Sequence, residues 1–169
     1  MKKFTIVVAI FALFCVFESN AQNPIPVGSA QINLGVGFSN WGVPFYAGFD
    51  YGIDRDFTLG AEFSYRAYNE KWHNKDWNHS VMGFSGNANY HFNSLFKLRN
   101  KKIDIYAGIN VGFFVWKSPD HYEGDHSSAL GLGGQFGLRY YLSNSVGLNL
   151  EFGGGNSFSG GKLGLTFRL

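Results

Sequence analysis

The chain is poor in the residues that staple or interrupt a fold, with one cysteine and four prolines among 169 residues. The cysteine, Cys15, lies inside the apolar N-terminal run Phe4–Phe17, after Leu13 and Phe14. A lipid-acceptor cysteine would follow small residues, so lipidation is excluded. If the run leaves as an export segment, no thiol remains, and with it go disulfides, thiolate zinc sites and cysteine nucleophiles. Charge is also scarce: 15% of residues are Asp, Glu, Lys or Arg, and the net charge is +2. That balance offers no electrostatic footprint for nucleic acid. After the N-terminal run, no apolar stretch approaches the ~20 residues of a spanning helix. No phosphate loop or nucleophile elbow is present.

What the chain does have is glycine (23), phenylalanine (18) and alternation. Lys2 and Lys3 precede the apolar run, and Ser19-Asn20-Ala21 places small residues ahead of a cut before Gln22. This is the layout of a secretory signal peptide. The organisation read from it is a signal peptide over 1–21, a periplasmic lead-in over 22–29 with Pro24 and Pro26, and one domain over 30–169.

That domain reads as eight strand-like segments: 30–38, 45–53, 57–68, 79–92, 103–116, 128–142, 146–153 and the closing 161–169. The last shows the pattern most plainly. Leu163, Leu165, Phe167 and Leu169 fall on one face, and Lys162, Gly164, Thr166 and Arg168 on the other, because successive strand side chains point to opposite faces. Asp54-Arg55-Asp56 and Ser143-Asn144-Ser145 are minimal turns, whereas 69–78 and 117–127 read as longer polar loops. An even strand number puts both termini on one side. Short turns on that side and longer loops on the other are the outer-membrane pattern.

An eight-stranded soluble barrel would place the apolar face inside. The volumes argue otherwise. Eight strands enclose only enough room for side chains to fill, and the Phe- and Leu-rich face would overfill it. The expected fold is therefore an all-β, eight-stranded antiparallel up-and-down transmembrane β-barrel with its polar face inward. The predicted lumen charges are four acids, Asp50, Glu62, Asp104 and Glu151, and four bases, Arg66, Arg139, Lys162 and Arg168. Buried charges are costly unless paired, so a self-neutralising network is expected, with Asp104 and Arg139 paired on neighbouring strands. A gated ion path is the rival reading of the same residues.

Aromatics are expected in two rims, as interfacial girdles. Trp41, Trp72, Trp77, Trp116 and Tyr122 would form the outer rim, and Tyr51, Tyr90, Phe92, Tyr140 and Phe167 the periplasmic one. The loop residues Asp120, His121, Glu123, Asp125 and His126, with His73, Asp76 and His79, are metal-ligand types. They show no recognised spacing, so no metal or other cofactor is expected. His126 and Ser128 share a strand face and could serve ester hydrolysis, but no acid can be assigned and no catalytic residue is expected.

The export-segment end Ser19-Asn20-Ala21-Gln22, the alternating strands and the terminal Leu163–Leu169 together resemble the small eight-stranded outer-membrane barrels, the group of the OmpX and OmpA transmembrane domains. The resemblance implies a monomer whose terminal strand, through Phe167 and Leu169, carries the signal read by the barrel assembly machinery. It implies outer-membrane lipids, including lipopolysaccharide, as neighbours and an envelope-structural or surface-interaction role rather than catalysis. A small pore and a lipid-modifying enzyme are the alternatives.

Overall fold

A computed structural model describes residues 25–39, 42–72, 75–117, 129–155 and 159–169. The expected export segment, 1–21, lies outside the described residues, as do Trp41, His73, Tyr122, His126 and Ser128. The strands are β1 (Ala30–Ser39), β2 (Phe45–Gly52), β3 (Phe57–Trp72), β4 (Lys75–His91), β5 (Ile103–Lys117), β6 (Ala129–Tyr141), β7 (Val146–Gly155) and β8 (Ser159–Arg168). Each pairs antiparallel with its sequence neighbours, and β8 closes on β1. The fold is a closed, up-and-down, eight-stranded barrel.

The register defines its dimensions. From Ser39, the paired positions run through Gly160, Gly153, Gln135, Gly108, Asn89, Thr58 and Gly52. Gly52 then bonds to Ser29, ten residues back along the first strand. With standard strand spacing and rise, that stagger implies a tilt of about 40° and a Cα radius of roughly 8 Å. Such a bore holds side chains and little else.

Burial is inverted relative to a water-soluble protein. Strand β2 alternates strictly: Phe45, Ala47, Phe49 and Tyr51 are exposed, whereas Tyr46, Gly48, Asp50 and Gly52 are buried. Around the barrel the exposed side chains include Leu34, Phe63, Phe84, Ile109, Leu132, Phe136, Phe152 and Leu163. The buried ones include Gln31, Asp50, Asp104, Arg139 and Glu151. In water such an exterior would be an association hazard. Against hydrocarbon it is the required surface, and closure leaves no strand edge unpaired there. From Phe45 to Ile53 the band is roughly 20 Å tall at this rise and tilt.

The start of β1 and the end of β8, the termini of the barrel, lie at one end, beside the connections 53–56, 92–102 and 142–145. Part of the lead-in folds against this end. Gly28 N–H bonds Gly52 O at 2.9 Å, and Ile25 is buried.

Two expectations need correction. The polar segments 69–72 and 75–78 are not loop: β3 and β4 stay paired through Asn69–Asn78 to Trp72–Lys75. Their residues are poor strand formers, but a hairpin already in register extends by adding ladder bonds. Second, Trp116 shares the inward parity of Asp104 and Tyr106 and packs edge-on against Tyr68, with ring centroids 6.2 Å apart. It is not part of an outward girdle. Of the other expected rim, Tyr90 and Phe92 meet edge-to-face at 5.0 Å, and Phe57, which was not among the expected residues, joins Tyr90 at 5.1 Å. The connection 92–102, also at the end with the termini, agrees with the sequence, in which the residues between the fourth and fifth segments read as a long basic stretch.

Close packing inside depends on missing side chains. A Cβ at Gly137 would run into the Tyr106 ring. We expect Gly137→Ala to destabilise the barrel by about 1–3 kcal/mol, the usual cost of overpacking. Unfolding midpoints of the refolded protein in urea should fall, and an unchanged midpoint would contradict the packing described.

Candidate functional site

The polar lumen is the only place in the described residues where charged side chains converge away from solvent. Its charges arrive there by strand parity, and they assemble into two clusters, each with two carboxylates on one cation.

The lower cluster, near the termini, centres on Arg139. Its Nη2 lies 2.7 Å from Asp50 Oδ2 and its Nη1 3.2 Å from Asp104 Oδ2. Asp104 is on the adjacent strand β5, directly opposite Arg139 in register. Asp50 is on β2, four strands away in a barrel of eight, so this pair reaches across the full bore. The Arg139 guanidinium also sits 4.1 Å from the Tyr106 ring centroid, within cation–π range. Neutral groups complete the shell. Asn33 Nδ2 donates to Asp50 Oδ2 at 2.8 Å, and Gln31 Nε2 to the same oxygen at 3.2 Å. Tyr141 O–H donates to Gln31 Oε1 at 2.8 Å, and Thr166 O–H to Asn33 Oδ1 at 2.7 Å. Strands β1, β2, β5, β6 and β8 are thereby tied through side chains as well as backbone.

His91 extends this cluster. Its Nδ1 is 2.7 Å from Asp104 Oδ1, and its Nε2 is 3.1 Å from Thr58 Oγ1. With Nδ1–H donating to the carboxylate, Nε2 accepts the threonine hydroxyl proton. Hydroxyl, imidazole and carboxylate thus follow the order of a nucleophilic triad. All three side chains are sealed, at 0% exposure, so no substrate reaches them and the arrangement serves packing.

The upper cluster centres on Lys162. Its Nζ lies 2.7 Å from Glu62 Oε1 and 2.9 Å from Glu151 Oε1. The Tyr106 hydroxyl donates to Glu151 Oε2 at 2.8 Å, which links the two clusters. Above this level the lumen opens into a cavity of ≈ 110 Å³, lined by Glu62, Ser64, Arg66, Asn110, Glu151 and Lys162 among others.

The eight charges read from the sequence therefore all lie on the inner face, but they do not form one balanced set. Six make the two clusters. Arg66 sits higher, donating to Ser39 Oγ at 2.9 Å. Arg168 stacks on Tyr141, 3.3 Å from its ring centroid, and donates to Asn144 O. Among the described residues it has no carboxylate within ion-pair distance. Tyr106, Tyr141 and His91 contact these charges from the same inner face. Their shared parity with Asp104 and Arg139 was the available signal.

Phe167 lies next to the end of β8, the strand that closes the barrel, and Leu169 follows that strand. Phe167 is in register with Ile32 and Val146, and Leu169 N–H bonds Ala30 O at 2.9 Å.

Removing one partner from a buried pair strands the others. Arg139→Met would leave Asp50 and Asp104 facing each other, and we expect a loss of about 3–5 kcal/mol. Lys162→Met should cost less, because the Lys162 side chain keeps 29% exposure. Urea titration of the barrel folded in lipid vesicles reads both, and equal losses would show that burial does not set the cost.

No protein-family profile and no curated protein sequence matches the chain. Solved structures do. The outer membrane protein OprG of Pseudomonas aeruginosa superposes with a TM-score of 0.64 at 8% identity, covering 89% of this chain and 99% of that one. The outer membrane protein Ail of Yersinia pestis gives 0.55 at 14% identity, covering 84% and 99%. A de novo designed transmembrane β-barrel gives 0.55 at 16%, covering 85% and 97%. One of these three was designed, so the likeness carries architecture rather than activity. The chain has the fold of the small eight-stranded outer-membrane β-barrels.

Proposed function

We propose that the chain is a monomeric, non-enzymatic outer-membrane barrel whose lumen is plugged by its own side chains. Its role is then envelope-structural or surface-interacting. The observation that carries this reading is the Asp50–Arg139 pair, which joins opposite walls and leaves 2% side-chain exposure on each partner. An ion crossing that level would have to displace a charge-paired, hydrogen-bonded layer. The exposed apolar band supports residence in a bilayer, with lipids, including lipopolysaccharide in the outer leaflet, as neighbours. Export through residues 1–21 and insertion by the barrel assembly machinery, reading Phe167 and Leu169, complete the proposal. No cofactor and no nucleic acid enters it.

The rival is a small pore, and the cavity above Lys162 favours it. There the lumen is lined by Glu62, Arg66 and Lys162 and is wide enough for water. The alternative of a lipid-modifying enzyme rests on His126 and Ser128, which lie outside the described residues.

Single-channel recording of the folded protein in a planar bilayer separates the first two. We expect a silent membrane, with folding verified by the shift in gel mobility on heating. Discrete, reproducible current steps would overturn the plug and establish the pore.

A further inference from the structure

Among the described residues, the connection between β4 and β5 is the longest at the end with the termini. A short turn would join the strands, yet this segment spends a long stretch of chain and is elaborately ordered. Phe96 N–H bonds Phe92 O at 2.9 Å, Lys97 N–H bonds Ser94 O at 3.1 Å, and Leu98 N–H bonds Asn93 O at 2.9 Å. These make a single helical turn closed by a Schellman motif. Its left-handed position, φ 51°, is held by Lys97. Glycine is the unstrained residue there, so a lysine at this position carries a backbone cost. Asn93 pins the segment to β5 from below. Its Nδ2 donates to Ile103 O at 2.6 Å, and its Oδ1 accepts from Ile105 N–H at 3.2 Å.

The rigid turn presents two kinds of side chain together. Leu95 and Phe96 project into the open, at 61% and 55% exposure. Phe96 stacks on Phe92, with centroids 5.5 Å apart, and Phe92 continues into the Tyr90–Phe57 rim. The apolar pair is therefore continuous with the lipid-facing band. Beside it stand Lys97, Arg99, Lys101 and Lys102, all exposed. No acid lies between Phe92 and Ile103. The other connections at this end add Asp54, Arg55 and Asp56 in one and no charge in the other.

We propose that the 92–102 connection is a lipid-headgroup clamp. It lays Leu95 and Phe96 at the headgroup–acyl boundary and gathers anionic phospholipids of the leaflet at that end around its four bases. Exposed apolar residues flanked by Lys and Arg bind interfaces in this way, with electrostatic preference for anionic lipid. An anionic glycan strand would use the bases but not the apolar pair or its continuity with the band. The inference rests on the membrane-barrel reading above.

The test uses the full mature barrel in phosphatidylcholine vesicles carrying a trace of spin-labelled phosphatidylglycerol or spin-labelled phosphatidylcholine. Electron paramagnetic resonance reads the share of each label immobilised at the protein. We expect a severalfold preference for phosphatidylglycerol that weakens with added salt. It should fall at least by half in the variant Lys97→Gln, Arg99→Gln, Lys101→Gln, Lys102→Gln, whose substitutions are all exposed. Phe96→Ser should weaken it further. A preference unchanged in the four-base variant overturns the clamp. So does a variant that keeps its lipid preference but no longer sediments with purified peptidoglycan, which would assign the bases to the glycan. Failure of the wild-type chain to insert, read by heat-shifted mobility and protease protection, would overturn the membrane-barrel reading itself. Insertion without lipid preference overturns the clamp alone.

Discussion

Arg139 is the side chain on which the interior turns. A barrel with an apolar outside must bury its polar face in a narrow bore, and every group there needs a partner. Arg139 answers for three at once. It pairs with Asp104 beside it and with Asp50 on the far wall, and it covers the Tyr106 ring. Guanidinium suits this post because its planar fork can bond two carboxylates and stack on an aromatic face together. The bare backbone at Gly137 then has a clear purpose, because the Tyr106 ring occupies the space a side chain there would need.

The lumen is graded along its axis. Towards the termini it is filled by hydrogen-bonded neutral groups around the Arg139 cluster, and Thr58, His91 and Asp104 are sealed in place. Towards the other end the filling thins: Lys162 is partly exposed, and a cavity opens above it. The same residue types thus meet two environments. A hydroxyl–imidazole–carboxylate series lies where nothing can reach it, while the accessible half holds an ion-paired lysine between two glutamates. Access, rather than the presence of reactive groups, separates a packing arrangement from a site.

Much of this was legible in the residues. Alternation assigned the faces because the side-chain period of a strand is two wherever the strand runs straight. Asp104 and Arg139 could be matched because their strands are neighbours and both lie near the same rim. Asp50 and Arg139 could not: they are 89 residues apart, and only the stagger on closure brings them to one level. Trp116 was misread because its size suggested a girdle, while its parity with Tyr106 already pointed inward. The segments 69–72 and 75–78 were misread because their composition is loop-like, and hairpin pairing outweighed local propensity. The two arginines at the ends of the lumen, Arg66 and Arg168, share the parity of the clusters but not their height, and height along the axis is not a property of parity.

The amino-acid sequence by itself determined which residues face lipid, which face inward, that the sheet is antiparallel and that its polar face could not be its outer one. These follow from local rules, namely the two-residue period and the volume a small barrel can hold. Only the tertiary structure decided which charges meet, where the lumen is filled and where it is open. Those depend on the shear of the closed sheet, a sum over every strand pairing that no single segment encodes.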